Sequence, residues 1–329
     1  MLADSYGRVA TDLRVSLTDR CNLRCAYCMP AEGLDWLPRP TLLTDDEVVR
    51  LARIGVELLS ITEVRFTGGE PLLRRGLPSI LARTAALRPR PEISLTTNGI
   101  GLERLAGTLR AAGLDRINVS LDTLRPAVFR ELSMRDRLDD VLAGLAGAAA
   151  AGLTPVKVNA VLMRGVNDGE AVPLLRFCLA HSYQLRFIEQ MPLDAQHGWR
   201  RANMVTAVEI MDALSAEFSL TPDESTVRGS APAETFLVDG GPGRVGVIGS
   251  VTRPFCGACD RVRLTADGQI RNCLFAREES NLRDPMRAGA SDAELAALWR
   301  QAVASKLPGH GINDPGFLQP TRPMSAIGG

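Results

Sequence analysis

Residues 17–30 read LTDRCNLRCAYCMP, which brings Cys21, Cys25 and Cys28 into one short loop with Tyr27 just before the third cysteine. Leu13, Val15 and Leu17 alternate ahead of it and predict a strand, so the loop falls at a strand end. Three thiolates this close form a cradle for a soft metal. A structural zinc site wants a fourth Cys or His nearby, whereas a four-iron cluster held by three protein thiolates leaves one iron open to an external ligand. Zinc and a disulfide loop stay open as readings; the count of three favours the cluster.

Composition narrows the classes. The chain has 329 residues, 45% of them apolar, enough for one large domain with an appendage. Its 38 basic residues balance 38 acidic ones, so no global field recruits nucleic acid or an anionic membrane, and an anionic ligand must be caught locally. The opening MLADSYGRVA lacks the pattern of a signal peptide, and no apolar run reaches membrane-spanning length, which makes the cytoplasm the expected location. Six of the seven cysteines fall into two triples. The seventh, Cys178, sits in a helical pattern as a buried apolar filler.

Past the cysteine loop, Thr44 and Glu47 make a capping box that opens a helix. Residues 63–66, 93–96, 116–121, 156–163 and 185–189 read as further strands, with helices over 77–87, 102–111, 126–132, 138–151 and up to His181 between them. Six strands alternating with helices predict a parallel sheet with helices outside. Six units fall short of the eight that close a barrel, so the expected fold is α/β, a partial (βα)6 TIM-like barrel. The alanine-rich run 142–153 reads as a helix whose small residues permit close packing.

Beyond Pro192 the rhythm breaks. A helix over 206–218, a linker at 221–232, strands at 235–238 and 244–248, helices near 278–287 and 292–305, and a Gly- and Pro-rich tail follow. Two domains are expected: residues 1–192 as the barrel, and 193–329 as an α+β segment closing its open side.

In parallel βα barrels chemistry collects at the carboxyl edge of the strands. The turn TGGEP at 67–71 falls there. Gly68 and Gly69 would let the backbone approach a ligand, and Glu70 could accept hydrogen bonds from an ammonium. A second triple, Cys256, Cys259 and Cys273, again lacks an obvious fourth ligand, although zinc completed by a folded-in His fits the spacing too. If residues 260–264 are extended, Arg261 and Arg263 project from one face beside that triple, where guanidiniums suit a phosphate. The chain has only two lysines, Lys157 and Lys306. Lys157 lies in an apolar strand and is expected to point into the barrel towards a phosphate or substrate oxygen, with a structural ion pair as the rival. Arg14 and Arg65 alternate with apolar neighbours in the same manner. Together these cations predict a cavity for a small, highly charged anion.

Four pieces, CNLRCAYC at 21–28, FTGGEP at 66–71, CGACDRVRLTADGQIRNCLF at 256–275 and the final Gly328-Gly329, together resemble the GTP 3′,8-cyclase family of molybdenum cofactor biosynthesis, within the radical S-adenosylmethionine (SAM) superfamily. The resemblance implies two [4Fe-4S] clusters: one on Cys21, Cys25 and Cys28 that binds SAM, the other on Cys256, Cys259 and Cys273 facing guanine. It implies that a 5′-deoxyadenosyl radical takes hydrogen from C3′ of GTP, after which C3′ attacks C8. It places Tyr27, Gly68, Gly69, Glu70, Ser120 and Met191 at SAM, and Arg14, Arg65, Thr96, Lys157, Arg261, Val262 and Arg263 at GTP. Arg261, Arg263 and the tail residues Gly328 and Gly329 take catalytic roles. A reductant protein and a homodimeric partner are implied as well. A radical SAM maturase of peptides is an alternative. So is a metal-stabilised electron-transfer protein, which leaves the GGEP turn and the six βα units unexplained.

Overall fold

Leu13 and Val15 are fully buried on one face of the first strand, β1 (Asp12–Ser16), while Asp12, Arg14 and Ser16 share the other. In the computed structural model, which describes residues 1–225 and 228–328, this alternation recurs in β2 (Glu63–Thr67), β3 (Glu92–Thr97), β4 (Arg116–Ser120), β5 (Lys157–Val161) and β6 (Gln184–Ile188). The six strands pair in parallel and in chain order, as expected. Their apolar faces meet α1 (Asp45–Leu59), α2 (Leu77–Ala85), α3 (Leu102–Ala111), α4 (Pro126–Ser133), α5 (Leu138–Ala150) and α6 (Ala171–Ala180).

Local chemistry explains the helix positions. The predicted capping box starts α1: Thr44 N donates to Glu47 Oε2 at 2.7 Å and Glu47 N to Thr44 Oγ1 at 3.2 Å. The alanine-rich run is α5, packed on α3. A Cβ on Gly144 would overlap the Gly99 carbonyl and stand 3.2 Å from Leu102 Cβ, so the small residue lets the two helices approach.

The later part of the chain departs from expectation. It comprises α7 (Ala207–Ser215), β7 (Leu220–Pro222), β8 (Glu234–Val238), β9 (Arg244–Ile248), β10 (Arg261–Leu264), β11 (Gln269–Arg271), β12 (Ser280–Asn281), α8 (Arg283–Arg287), α9 (Asp292–Ala304) and α10 (Met324–Ile327). Strand β9 pairs in parallel with β6, and β10 in parallel with β1. One sheet therefore runs β12-β11-β10-β1-β2-β3-β4-β5-β6-β9-β8-β7, with eight parallel strands at its centre and antiparallel strands at both margins. The barrel stays open, because β9 and β10 end the parallel run on opposite sides without pairing. The C-terminal segment thus extends the barrel wall at both edges, and the sheet runs continuously across the boundary expected at residue 192.

Strands β7, β11 and β12 span two or three residues each, too few for a two-residue period to show in the sequence. The helix expected from residue 278 begins at Arg283, because Ser280 and Asn281 are taken by pairing with β11. Residues 226–227, inside the expected linker, lie outside the described residues. A small second core of Leu193, Met204, Val251, Phe275, Ile312 and Ile327 anchors the tail beside the barrel. Among the described residues no helix is long and apolar enough to cross a membrane.

Candidate active site

The turn after β2 is sewn to the loop after β1. Gly69 N donates to Thr18 O at 2.7 Å, and Glu70 N to Arg20 O at 2.7 Å. Gly68 has a φ of +139°, and a Cβ there would overlap Thr18 O; one on Gly69 would overlap Arg20 O and stand 2.5 Å from Asp19 O. Both glycines are required because the cysteine loop itself comes so close.

Glu70 differs from the expectation of an acceptor for a ligand ammonium. Fully buried, its carboxylate accepts from Leu72 N at 2.9 Å, Thr97 Oγ1 at 2.7 Å and Asn98 N at 2.7 Å. It locks the turns after β2 and β3 together, and burial, opposed by those bonds, lifts its pKa to about 7. Asn98 passes the brace on, donating from Nδ2 to Asn22 Oδ1 at 2.6 Å inside the cysteine loop.

Cys21, Cys25 and Cys28 are free and partly buried. Burial raises all three thiols; Asp122 and the other two cysteines raise Cys25 further, and Cys21 helps to bring Cys28 to about 12. Each thiolate is destabilised by its neighbours until metal charge compensates, which is the donor chemistry a cluster needs. Among the described residues no trio of Cys, His, Asp or Glu closes on a single ion.

Inside the barrel lies a cavity of about 260 Å³ that takes a side chain from each of the eight parallel strands: Arg261, Arg14, Arg65, Thr96, Ser120, Asn159, Arg186 and Ile248, in sheet order. Register aligns Arg263, Arg14 and Arg65 in one row across β10, β1 and β2. Asp12 is the nearby acid, with Oδ2 3.6 Å from Arg14 Nε and 3.7 Å from Arg65 Nη2. It is outnumbered. Burial and Arg65 push the Arg14 pKa well below its ordinary value, and burial brings Arg186 to about 9 and Arg263 to about 10. Such a surplus of buried positive charge calls for a multiply charged anion.

Tyr27 and Met191 line the same cavity, with Tyr27 Oη donating to Asp122 Oδ2 at 2.8 Å. Asp122 Oδ1 accepts from Val161 N at 2.8 Å, and burial raises that carboxyl to about 6. The far end is formed by Cys256, Cys259 and Cys273 with Phe255 and Phe275. The Arg261 guanidinium lies 4.8 Å from the Phe255 ring centroid. Burial raises the Cys259 thiol, but Arg261 and Lys306 beside it outweigh this and set it at about 7.

Two expected substrate contacts are placed differently. Val262 pairs in register with Leu13 and is 1% exposed, so its side chain belongs to the apolar face of β10, away from the cavity that Arg261 and Arg263 line. Lys157 has the expected face but a different depth. It lines a smaller cavity of about 120 Å³ at the amino end of β5, which shares Arg186 and Pro232 with the main one. Among the described residues its side chain makes no ion pair or hydrogen bond, and burial together with Arg186 lowers its pKa to about 8.

The tail reaches the strand ends. Ser16 Oγ donates to Ile327 O at 2.8 Å, and Arg263 donates to Gly328 O. A Cβ on Gly328, whose φ is +85°, would overlap Ser16 Oγ and stand 2.7 Å from Thr67 Cγ2. Gly329 lies outside the described residues.

Sequence reasoning missed Arg186, Asn159 and Asp12. Arg186 carried the signal that exposed Arg14 and Arg65, a lone arginine between apolar strand neighbours. It donates to Asn159 Oδ1 at 2.9 Å and to Asn118 Oδ1 at 2.7 Å.

Residues 15–178 match the Radical SAM superfamily, and residues 183–312 match Molybdenum Cofactor Synthesis C. With the cysteine loop at the strand edge, this defines a radical SAM enzyme, whose family carries a [4Fe-4S] cluster and SAM. GTP 3′,8-cyclase of Streptomyces coelicolor is 68% identical, covering 100% of this chain and 96% of the relative. The protein of the same name from Mycolicibacterium smegmatis is 64% identical, covering 100% of this chain and 92% of the relative. The chain belongs to the GTP 3′,8-cyclase family. Among solved structures, methylornithine synthase aligns with a TM-score of 0.49 and 16% identity, over 63% of this chain and 62% of that one.

Proposed function

We propose that this chain converts GTP to (8S)-3′,8-cyclo-7,8-dihydroguanosine 5′-triphosphate, the first step of molybdenum cofactor biosynthesis. The observation that carries the reading is the buried arginine cavity whose wall includes Tyr27 of the first cysteine loop and all three cysteines of the second triple. Cys21, Cys25 and Cys28 would hold the [4Fe-4S] cluster, which with SAM would supply radical chemistry for hydrogen abstraction from C3′. The chain's own residues do the positioning. Tyr27, Ser120 and Met191 wall the SAM end, and the Gly68-Gly69 turn holds the cysteine loop in register. Arg14, Arg65, Arg186 and Arg263 grip the triphosphate, with Lys157 at its deep end. Thr96 supplies a hydroxyl on the same wall. Cys256, Cys259 and Cys273 would hold a second [4Fe-4S] cluster and, with Arg261, form the guanine end of the cavity. Gly328 closes the site over Ser16 and Thr67, and a catalytic role for Gly329, outside the described residues, rests on family resemblance alone. In this division residues 1–192 generate the radical and share with residues 193–329 the orientation of its target. A reductant protein, a homodimer and a cytoplasmic location belong to the same proposal, on family resemblance.

The test is anaerobic reconstitution followed by dithionite, SAM and GTP. About eight irons per chain are expected, four per cluster, with 5′-deoxyadenosine and a cyclised product formed only when GTP is present. About four irons would remove the second cluster. SAM cleavage indifferent to GTP would point to a peptide maturase.

Lys157→Ala is expected to leave the iron content intact and to weaken GTP binding by roughly 10- to 100-fold, the worth of one charge-assisted contact. The pH dependence has a definite sign. With its pKa at about 8, Lys157 is an ammonium below that pH, and above it must regain a proton to hold the anion. GTP affinity therefore declines as pH rises through 8, and the Lys157→Arg variant lacks that inflection. Calorimetric titration across this range checks both, and unchanged affinity in Lys157→Ala would end the assignment.

A further inference from the structure

Lys306 follows the last turn of α9 and is 5% exposed. Its three N–H groups are spent on Cys259 and the start of β10: Nζ donates to Arg261 O at 2.9 Å, to Cys259 O at 3.2 Å and to Cys259 Sγ at 3.3 Å. Among the described residues no carboxylate pairs with it. A buried ammonium without a counter-ion is costly, and the anion within its reach is the Cys259 thiolate. The first triple is served differently, by neutral donors: Leu23 N to Cys21 Sγ at 3.4 Å and Asn98 Nδ2 to the same sulfur at 3.8 Å.

We propose that Lys306 is a positioning residue for the second cluster, raising its reduction potential by donating a charged N–H to the Cys259 sulfur. A fixed positive charge at a ligating sulfur favours the one-electron-reduced cluster over the oxidised one, because the added electron density spreads onto the sulfurs. The two clusters are thereby set at different potentials by different donors. The inference rests on the reading that the second triple holds a cluster.

The experiment uses the full chain carrying Cys21→Ala, Cys25→Ala and Cys28→Ala, so that the second cluster is observed alone, in dithionite titrations followed by electron paramagnetic resonance. With native Lys306, about four irons are expected; their absence would defeat the cluster reading itself and not the role of Lys306. Lys306→Met is expected to keep those irons and to move the midpoint to lower potential, with Lys306→Arg returning it towards the native value. An unchanged midpoint in Lys306→Met overturns the proposal. So does loss of the irons in Lys306→Met with retention at the native midpoint in Lys306→Gln, a neutral donor, which would assign the lysine to holding the cluster without tuning it.

Discussion

Gly69→Ala is expected to lower SAM cleavage by about 100-fold or more, the usual cost of misplacing reacting groups by about 1 Å. The new Cβ would overlap Arg20 O and stand 2.5 Å from Asp19 O, and both are backbone atoms on the approach to Cys21. No side-chain rotamer relieves such a contact, so either the turn after β2 or the cysteine loop must move. The hydrogen bonds from Gly69 N to Thr18 O and from Glu70 N to Arg20 O resist that movement, and overpacking of this kind costs about 1–3 kcal/mol. 5′-Deoxyadenosine release from the reconstituted variant reads the result. Gly107→Ala is the control, since nothing lies within 4 Å of a Cβ there. Native cleavage rates in Gly69→Ala would show that the two loops are not coupled.

Arg263→Ala is expected to weaken GTP binding by roughly 30- to 4,000-fold, the range for truncating one partner of a buried charge pair at about 2–5 kcal/mol. Two contacts would go at once. Arg263 shares a row with Arg14 and Arg65, where an anion would meet three guanidiniums side by side, and it also donates to Gly328 O and so ties the tail to the site. Arg263→Lys should recover only part of the affinity, because an ammonium lacks the planar fork that serves two acceptors. Calorimetric titration with GTP, together with iron content, separates loss of grip from loss of the cluster. GTP affinity equal to the native protein's would remove Arg263 from the substrate site.

Much of the site was legible before the fold was seen because its chemistry is local. Cys21, Cys25 and Cys28 lie within eight residues, and Gly68 to Glu70 within three, so short chain segments carry them. Arg14 and Arg65 showed as charges in strands whose neighbours are apolar. Glu70 misled because its motif implies a carboxylate near SAM, while its partners Thr97 and Asn98 belong to another strand end and leave no mark on its own segment. Val262 misled for a simpler reason: a run of contacts read along the chain ignores the alternation that turns every second side chain away.

By itself the sequence determined the six parallel βα units, the two cysteine triples and the family, since hydrophobic period and motif spacing are properties of short segments. Only the tertiary structure decided how Tyr27 of the first cysteine loop, the strand arginines and the second triple share a single cavity. Strands β9 and β10 come from far along the chain, and pairing with β6 and β1 makes them the edges of the barrel wall. Strand register then sets Arg263 beside Arg14, and folding of α9 against β11 carries Lys306 to Cys259. Such placements depend on pairing and packing between distant segments, which no local period encodes.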